Sequence, residues 1–422
     1  MTITARGAVR SGRAERTRAA ILSAAREEFV ERGYRSTSLR DIAAAAGVSH
    51  PGLLRHFATK DELLAEIVAS FEEQNQLHVL ERVAADEPGI LGFSGIARRN
   101  DAVPGYLALF AALMGEASTA SHPAHHLMRE RYARLLDVST DILEEAVAHD
   151  AVAPDRDARD ESVRIAAAWD GLQLLEQYLP ERVEVAAMLE AYESLLTFPV
   201  GWRDTDDPEP SREAALVPPI PPAPPAAVVG YRIGRERRAR ILEDAMQLFA
   251  REGYGDTSLS DVAQRVGVSK STLLHYYPSK EELLSAVLRE RDRLIASHSF
   301  AEPASRAADE LRALPTGAAH NATNAPGLVE VYAVLSCEAV PADHPAHSYF
   351  EERFRTVIAH FTALFRAAQE DGDLPSHRDP EFEAVWLVAL WDGLQYQWLY
   401  DRAAVDVAAH LTAHLEDVLP RG

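Results

Sequence analysis

The sequence predicts an all-α chain built from two copies of one helical unit, each with a small N-terminal helical segment followed by a helical bundle. Three observations carry that expectation. Apolar residues recur at helical spacing, as in Ile21, Leu22, Ala25 and Phe29, and again in Ile241, Leu242, Ala245 and Phe249. Alternating β-branched runs bounded by hairpin turns are missing. Residues 33–64 align without a gap on 253–284, and 16 of the 32 positions are identical.

Each element follows from local chemistry. Ser38 with Asp41 is an [ST]-x-x-[DE] helix start, and a short Ala-rich helix then runs to Gly47, where a left-handed residue costs least. Ser49 starts a second short helix through Leu53, Leu54 and Phe57, with Pro51 in its first turn. The second copy repeats the plan with Ser258, Asp261, Gly267 and Ser269. Two short helices joined by a tight turn form a helix-turn-helix, at 38–57 and again at 258–277. Further on, Trp169-Asp170-Gly171-Leu172-Gln173 recurs at Trp391-Asp392-Gly393-Leu394-Gln395, and His122-Pro123-Ala124-His125 recurs at His344-Pro345-Ala346-His347, both offset by 222 residues. The helices carrying these motifs, with the last helices of each half, are candidates for packing the halves together. Gly171 and Gly393 would allow close backbone approach there.

These landmarks divide the chain into 1–64, a first bundle at 65–200, a proline-rich linker at 201–230, then 231–284 and a second bundle at 285–422. The run from Val217 to Pro225 contains six prolines, so it cannot be helical and is expected to be an extended spacer.

At 422 residues with 47% hydrophobic and 26% charged content, the chain has the composition of an ordinary globular protein. The single cysteine, Cys337, excludes an internal disulfide framework and a cysteine-based zinc site. With no run approaching the ~20 apolar residues of a membrane span, the expected location is cytoplasmic, on the nucleoid when DNA is bound. The net charge of -22 argues at first against nucleic acid, but residues 1–60 balance at +6, residues 230–280 at +3, and the remainder at -31. A polyanion is therefore expected at the two repeated segments and repelled elsewhere. Arg6, Arg10 and Arg13 form either a minor-groove arm or a disordered tail.

The run Gly33-Tyr34-x-x-Thr37-Ser38-Leu39-x-Asp41-Ile42-Ala43, then Gly47-Val48-Ser49, His56-Phe57 and Lys60-Asp61-Glu62-Leu63-Leu64, resembles the tetracycline-repressor (TetR) family of transcriptional regulators. The second copy is similar again, with Lys270 after the serine and Pro278-Ser279-Lys280-Glu281-Glu282-Leu283. Both copies depart from the family pattern at Leu54 and Leu274, where a tyrosine is common. The resemblance implies two TetR-like units packed as an intramolecular pseudo-dimer, in which each helix-turn-helix sets its second helix in the DNA major groove. It implies phosphate contacts from Thr37 and Thr257 and from Lys60 and Lys280. Base reading falls to His50, Gly52 and Arg55 in one copy and to Lys270, Thr272 and His275 in the other. Ser38, Arg40, Ser49 and His56, with Ser258, Ser269, Ser271 and Tyr276, complete the implied DNA surface.

By the same resemblance each bundle holds a small-molecule pocket, with Tyr106, Met114, His125 and His126 in one half and Tyr332, Ser336 and Cys337 in the other as candidates. The competing account of such positions is core packing. His122, His125 and His126 lack a carboxylate or cysteine at ligand spacing, so no metal or other cofactor is expected. Neither a phosphate-binding glycine loop nor a nucleophile elbow is present, and the chain reads as a non-enzyme. The expected function is a DNA-binding regulator, by family default a repressor released by an effector. It would be a monomer that binds a non-palindromic operator. The alternative is a ligand-binding or protein-interaction module that has lost DNA binding in one or both halves.

Overall fold

The computed structural model describes residues 3–34, 36–84, 91–103, 106–210, 232–298 and 306–421. Among them are helices only. The first unit comprises α1 (Ile3–Arg32), α2 (Leu39–Ala45), α3 (His50–Leu53), α4 (Lys60–Ala84), α5 (Phe93–Asp101), α6 (Tyr106–Glu116), α7 (His125–Ala148), α8 (Ala158–Tyr178) and α9 (Val185–Leu195). The second repeats the order: α10 (Arg232–Asp256), α11 (Leu259–Val266), α12 (Lys270–Tyr276), α13 (Lys280–His298), α14 (Ala307–Asn324), α15 (Pro326–Glu338), α16 (His347–Glu370), α17 (Pro380–Tyr400) and α18 (Val407–Val418).

The two units face each other through α8 and α17, whose closest approach is at the repeated Trp-Asp-Gly-Leu-Gln elements. A Cβ built on Gly171 would stand 2.0 Å from the Ala389 carbonyl oxygen, and one on Gly393 would stand 1.7 Å from that of Ala167. Both distances are inside van der Waals contact with main chain, which cannot swing aside, so each crossing residue has to lack a side chain. A second crossing joins α6 to α15, where a Cβ on Gly115 would meet Cys337 Cβ at 2.5 Å.

Reciprocal contacts tie the crossing. Tyr178 donates its hydroxyl to the Ser336 carbonyl at 2.6 Å, and its repeat partner Tyr400 donates to the carbonyls of Leu113 and Met114 at 3.1 and 3.0 Å. His347 stacks on Tyr178 and His125 on Tyr400, with ring centroids 5.1 and 5.4 Å apart. Tyr192 stacks on Trp386 at 3.9 Å. One continuous apolar core runs through both bundles and into the second helix-turn-helix, while the first helix-turn-helix shares a cluster with α6, α7 and Tyr400.

At the outer end of the interface six buried charges meet. Arg156 pairs with Glu161 at 2.9 Å and with Asp417 at 3.1 Å. Its repeat partner Arg378 pairs with Glu383 at 3.1 Å and with the same Asp417 at 2.9 Å. Arg164 closes on Glu161 at 2.9 Å. Burial alone would raise the Asp417 carboxyl, but Arg378 and Arg156 hold it below the usual carboxylate range.

Two expectations change. Residues 3–32 continue one helix, so Arg6, Arg10 and Arg13 lie on α1 and not on an arm or tail. The linker begins as a docked segment: Arg203 donates to the carbonyls of Gly372 and Asp373 at 2.7 and 3.2 Å, and Ser376 N–H donates to Asp207 at 3.0 Å. The proline run lies outside the described residues.

Candidate nucleic-acid interface

Each reader is assembled by its caps. The Ser38 hydroxyl accepts the Asp41 amide at 3.3 Å and Asp41 accepts the Ser38 amide at 3.0 Å; Ser258 and Asp261 repeat this at 3.2 and 2.8 Å. Hydrogen bonds from the side chain and amide of these serines keep both aspartates below the usual carboxylate range. Ser49 accepts the Gly52 amide at 3.2 Å and Ser269 accepts that of Thr272 at 3.1 Å, which starts α3 and α12. The turn before each is made by Gly47 (φ 65°) and Gly267 (φ 77°).

The readers are unlike. The sequence predicts a second helix reaching Phe57, but α3 stops at Leu53, whereas α12 runs to Tyr276. Gly52 is a poor helix former, and the chain leaves α3 in a tight turn in which the amides of His56 and Phe57 both donate to the Leu53 carbonyl, at 2.8 and 3.0 Å. Exposed around α3 are Arg40, Ser49, Leu54 and Arg55, with His50 and His56 half-buried; around α12, Ser258, Ser269, Lys270, Ser271 and His275 are exposed, with Thr272 and Tyr276 half-buried. Leu54 is 42% exposed, an apolar side chain at the surface of the first reader.

Several site expectations take another form. Thr37 and Thr257 are 1% and 0% exposed. Thr37 Oγ1 donates to the Gly33 and Glu28 carbonyls at 2.9 and 3.0 Å, and Thr257 Oγ1 to that of Gly253 at 2.7 Å. These hydroxyls buckle the turn and do not face a phosphate. Gly52 is buried, and a Cβ there would come 3.0 Å from Ser49 Oγ, so its role is spacing. Lys60 donates to the carbonyls of Tyr34 and Thr37 at 2.5 and 2.7 Å and stands 4.3 Å over the Tyr34 ring. Lys280 donates to the Gly255 carbonyl at 3.2 Å and stands 4.1 Å over Tyr254. Each lysine places its charge against the turn that leads from α1 into α2 or the end of α10 that leads into α11.

The structure spends most of the ligand candidates on packing. Tyr106 lies against Phe71 and Phe110, with centroids 4.9 and 4.5 Å away. Met114 and His125 belong to the Tyr400 contact, and the His125 ring also bonds the Ala117 carbonyl at 2.8 Å. His126 is exposed beside Glu130 at 3.3 Å. Tyr332 donates to Asp392 at 3.0 Å, and Ser336 shares a 2.9 Å bond with Tyr396. Burial pushes the Cys337 thiol up to about 12, so it is no nucleophile at neutral pH.

One set of residues had no reading in the sequence. Glu338, at the end of α15, accepts the amides of Tyr254 (2.6 Å) and Gly255 and so binds the second bundle to the second reader. Its repeat partner Glu116 stands over Gly33 in the first. Burial, with Glu116 adding to it against the two amide donors, pushes the Glu338 carboxyl up to about 7. A carboxyl raised in the folded state contributes its stability below its ordinary value of 4.5 and loses it as pH rises through 7. His344, pushed by burial down to about 4, acts oppositely: its contribution is full above 6.5 and is lost as pH falls toward 4. Between pH 6 and 8 the wild-type chain is therefore expected to lose stability relative to Glu338→Gln. Denaturant titrations at the two pH values check this, and a variant offset that is the same at both would contradict it.

The model for bacterial regulatory proteins of the tetR family matches residues 21–67 and again 241–287, and that for the C-terminal part of BetI-type transcriptional repressors matches residues 334–420. The HTH-type transcriptional repressor Rv3405c of Mycobacterium tuberculosis is 50% identical over 54 residues, 13% of this chain and 29% of the relative. The first of the curated relatives is likewise matched over only 29% of its own length. The probable HTH-type transcriptional regulator ArpR of Pseudomonas putida is 29% identical over 188 residues, 41% of this chain and 85% of ArpR. A crystal structure of a TetR-family regulator from Rhodococcus sp. aligns at 26% identity with a TM-score of 0.37, over 44% of this chain and 99% of its own. With one helix-turn-helix matched in each half, this chain belongs to the TetR family and carries the family's unit twice in tandem.

Proposed function

We propose that the chain is a sequence-specific DNA-binding transcriptional regulator whose two unlike readers engage one non-palindromic operator. The observation that carries this reading is that both readers keep the same caps and turns while their surface residues differ: half-buried His50 and exposed Arg55 against exposed Lys270, Ser271 and His275. A symmetric homodimer reads a palindrome because its two recognition helices are identical. Here Arg55 and Lys270 are suited to guanine edges, Leu54 to a thymine methyl, and Ser271 and Thr272 to either donors or acceptors. Each changed base contact is worth about 1–3 kcal/mol, so the preferred half-sites diverge at several positions, about one helical turn apart. Repression is the direction supported by the name of the mycobacterial relative. Release by a small-molecule effector is the family's habit and completes the proposal.

Selection from random DNA is expected to return an asymmetric site bound in one orientation, and exchanging residues 50–55 with 270–275 is expected to reverse it. A perfect palindrome bound equally well by the exchanged chain would sink the reading. Replacing Lys60 or Lys280 with alanine is expected to weaken binding to all sequences and lower the salt slope by about one. If only one of the two replacements does so, the other reader has become structural.

The free chain is expected to be a monomer, since its pairing surface is consumed internally by α8 and α17. Light scattering should give the chain mass of 46.4 kDa. A stable species of twice that mass at micromolar concentration would count against it.

A further inference from the structure

The readers also differ behind their recognition helices. Arg18 and Arg238 hold equivalent places, and each lays its guanidinium over the aromatic ring just past α3 or α12. Arg18 stands 4.3 Å from the Phe57 centroid and Arg238 4.9 Å from that of Tyr277. There the likeness stops. Arg18 pairs with Glu66 of α4 at 2.8 Å and donates to the His56 carbonyl at 3.3 Å. On α13 the place of Glu66 is taken by Ala286, and half-buried Arg238 forms no ion pair among the described residues.

More charge gathers around Arg238. Where α1 has Thr17 and Ala20, α10 has Arg237 and Arg240, both exposed and without an ion pair among the described residues. Three residues apart, these two are neighbours on one face of the helix. One exchange runs the other way, since Glu236 stands where α1 has Arg16. The first reader carries its extra arginines elsewhere: Arg40 on α2 and Arg55 just past α3, where the second has Ser260 and His275. A recognition helix lying in the major groove has a phosphate chain beyond each of its ends. Lys270 opens α12, and Arg238 is stacked at its close, so both ends of this helix carry a cation. At the close of α3 the matching cation is cancelled by Glu66.

We propose that the start of α10 is a phosphate clamp that the first reader lacks, so that the two readers hold DNA unequally. The second grips the backbone and the first contributes mainly by base contact. Stacking on Tyr277 holds Arg238 in place, and its planar fork can take two oxygens of one phosphate. Arg237 and Arg240 extend the same cationic face along the backbone. Each phosphate neutralised releases a counterion, so the unequal grip is read as salt dependence. The clamp rests on the DNA-binding reading above. The exposed Arg18–Glu66 pair is worth at most about 1 kcal/mol to folding, so it can be opened without unfolding the reader.

Salt titration of the full chain on random-sequence duplex DNA tests the clamp, because there the phosphate term stands alone. Arg238→Gln is expected to lower the steepness of log K against log salt by about one, and Arg237→Gln with Arg240→Gln by about two. Arg238→Lys, which keeps the charge, is expected to stay near wild type, and Arg18→Gln is expected to change nothing. Ala286→Glu, which gives the second copy the carboxylate of the first, is expected to lower the steepness by about one. Glu66→Ala is expected to raise it by about one, and to raise it less when Arg18→Gln is also present. Equal effects of Arg18→Gln and Arg238→Gln would overturn the clamp, as would a steepness that Arg238→Gln and Ala286→Glu leave unmoved. In either case wild-type binding would leave the DNA-binding reading standing. A wild-type chain that binds neither random nor selected duplex at low salt would sink that reading and the clamp with it.

Discussion

Replacing Gly393 with alanine is expected to destabilise the chain by at least about 3 kcal/mol, the upper end of what overpacking usually costs. The added Cβ would stand 1.7 Å from the Ala167 carbonyl oxygen, and 2.4 Å from its carbon. These are main-chain atoms in the middle of α8, so relief requires the whole of α8 and α17 to separate. Separation would strip cover from Tyr178, Tyr400 and the stacked Tyr192–Trp386 pair together. Gly171→Ala is expected to act in the same direction from the other side, where the contact would be 2.0 Å from Ala389. Denaturant unfolding of each variant measures the loss. If Gly393→Ala unfolds within 1 kcal/mol of wild type, at roughly the size of an ordinary surface change, the crossing is not as close as described.

The second large effect is expected from Asp417→Asn. The variant leaves Arg156 and Arg378, both almost fully buried, sharing Glu161 and Glu383 with no bridge between them. Removing one partner from a buried ionic cluster costs about 3–5 kcal/mol, because the remaining charge stays desolvated. Asp417 also accepts the Gly201 amide at 2.8 Å, so the change would loosen the start of the docked linker. The aspartate's depressed value fixes the sign: its contribution is full above its ordinary value of 3.8 and is lost as pH falls through the folded value. The gap between wild type and variant is therefore expected to be constant near neutrality and to close in acid. A gap that stays open at the lowest pH at which both fold would show that the charge is not the cause.

Local features were the ones legible in the sequence. The capping boxes at Ser38 and Ser258 depend on residues three apart, and the structure has both in full. The crossing glycines were legible because the motif around them occurs twice. What stayed hidden depends on distance along the chain. Arg156 and Asp417 are 261 residues apart, and nothing near either announces the other. A buried His414 or Glu383 reads in sequence as one more polar residue on a helix. The length of α3 is hidden in the sequence because Leu54 and Phe57 continue its apolar spacing past its end, while Gly52 weakens it. Thr37 and Thr257 were assigned by resemblance to phosphate, yet burial gives their hydroxyls to backbone carbonyls four residues back.

The buried charge cluster also decides which halves can marry. The first half brings Arg156, Arg164 and Glu161; the second brings Arg378, Glu383 and Asp417. At the repeat positions of Asp417 and Arg164 stand Leu195 and Trp386, so neither half carries the other's set. Two first halves would enclose four guanidiniums with two carboxylates, and two second halves the reverse. Only the mixed pair encloses three of each. Buried charge left over is expensive, so likes refuse each other and unlikes accept. Expressed as separate pieces, the halves would sort into mixed pairs without the linker. The tether makes the meeting quick, but identity is written in the interface.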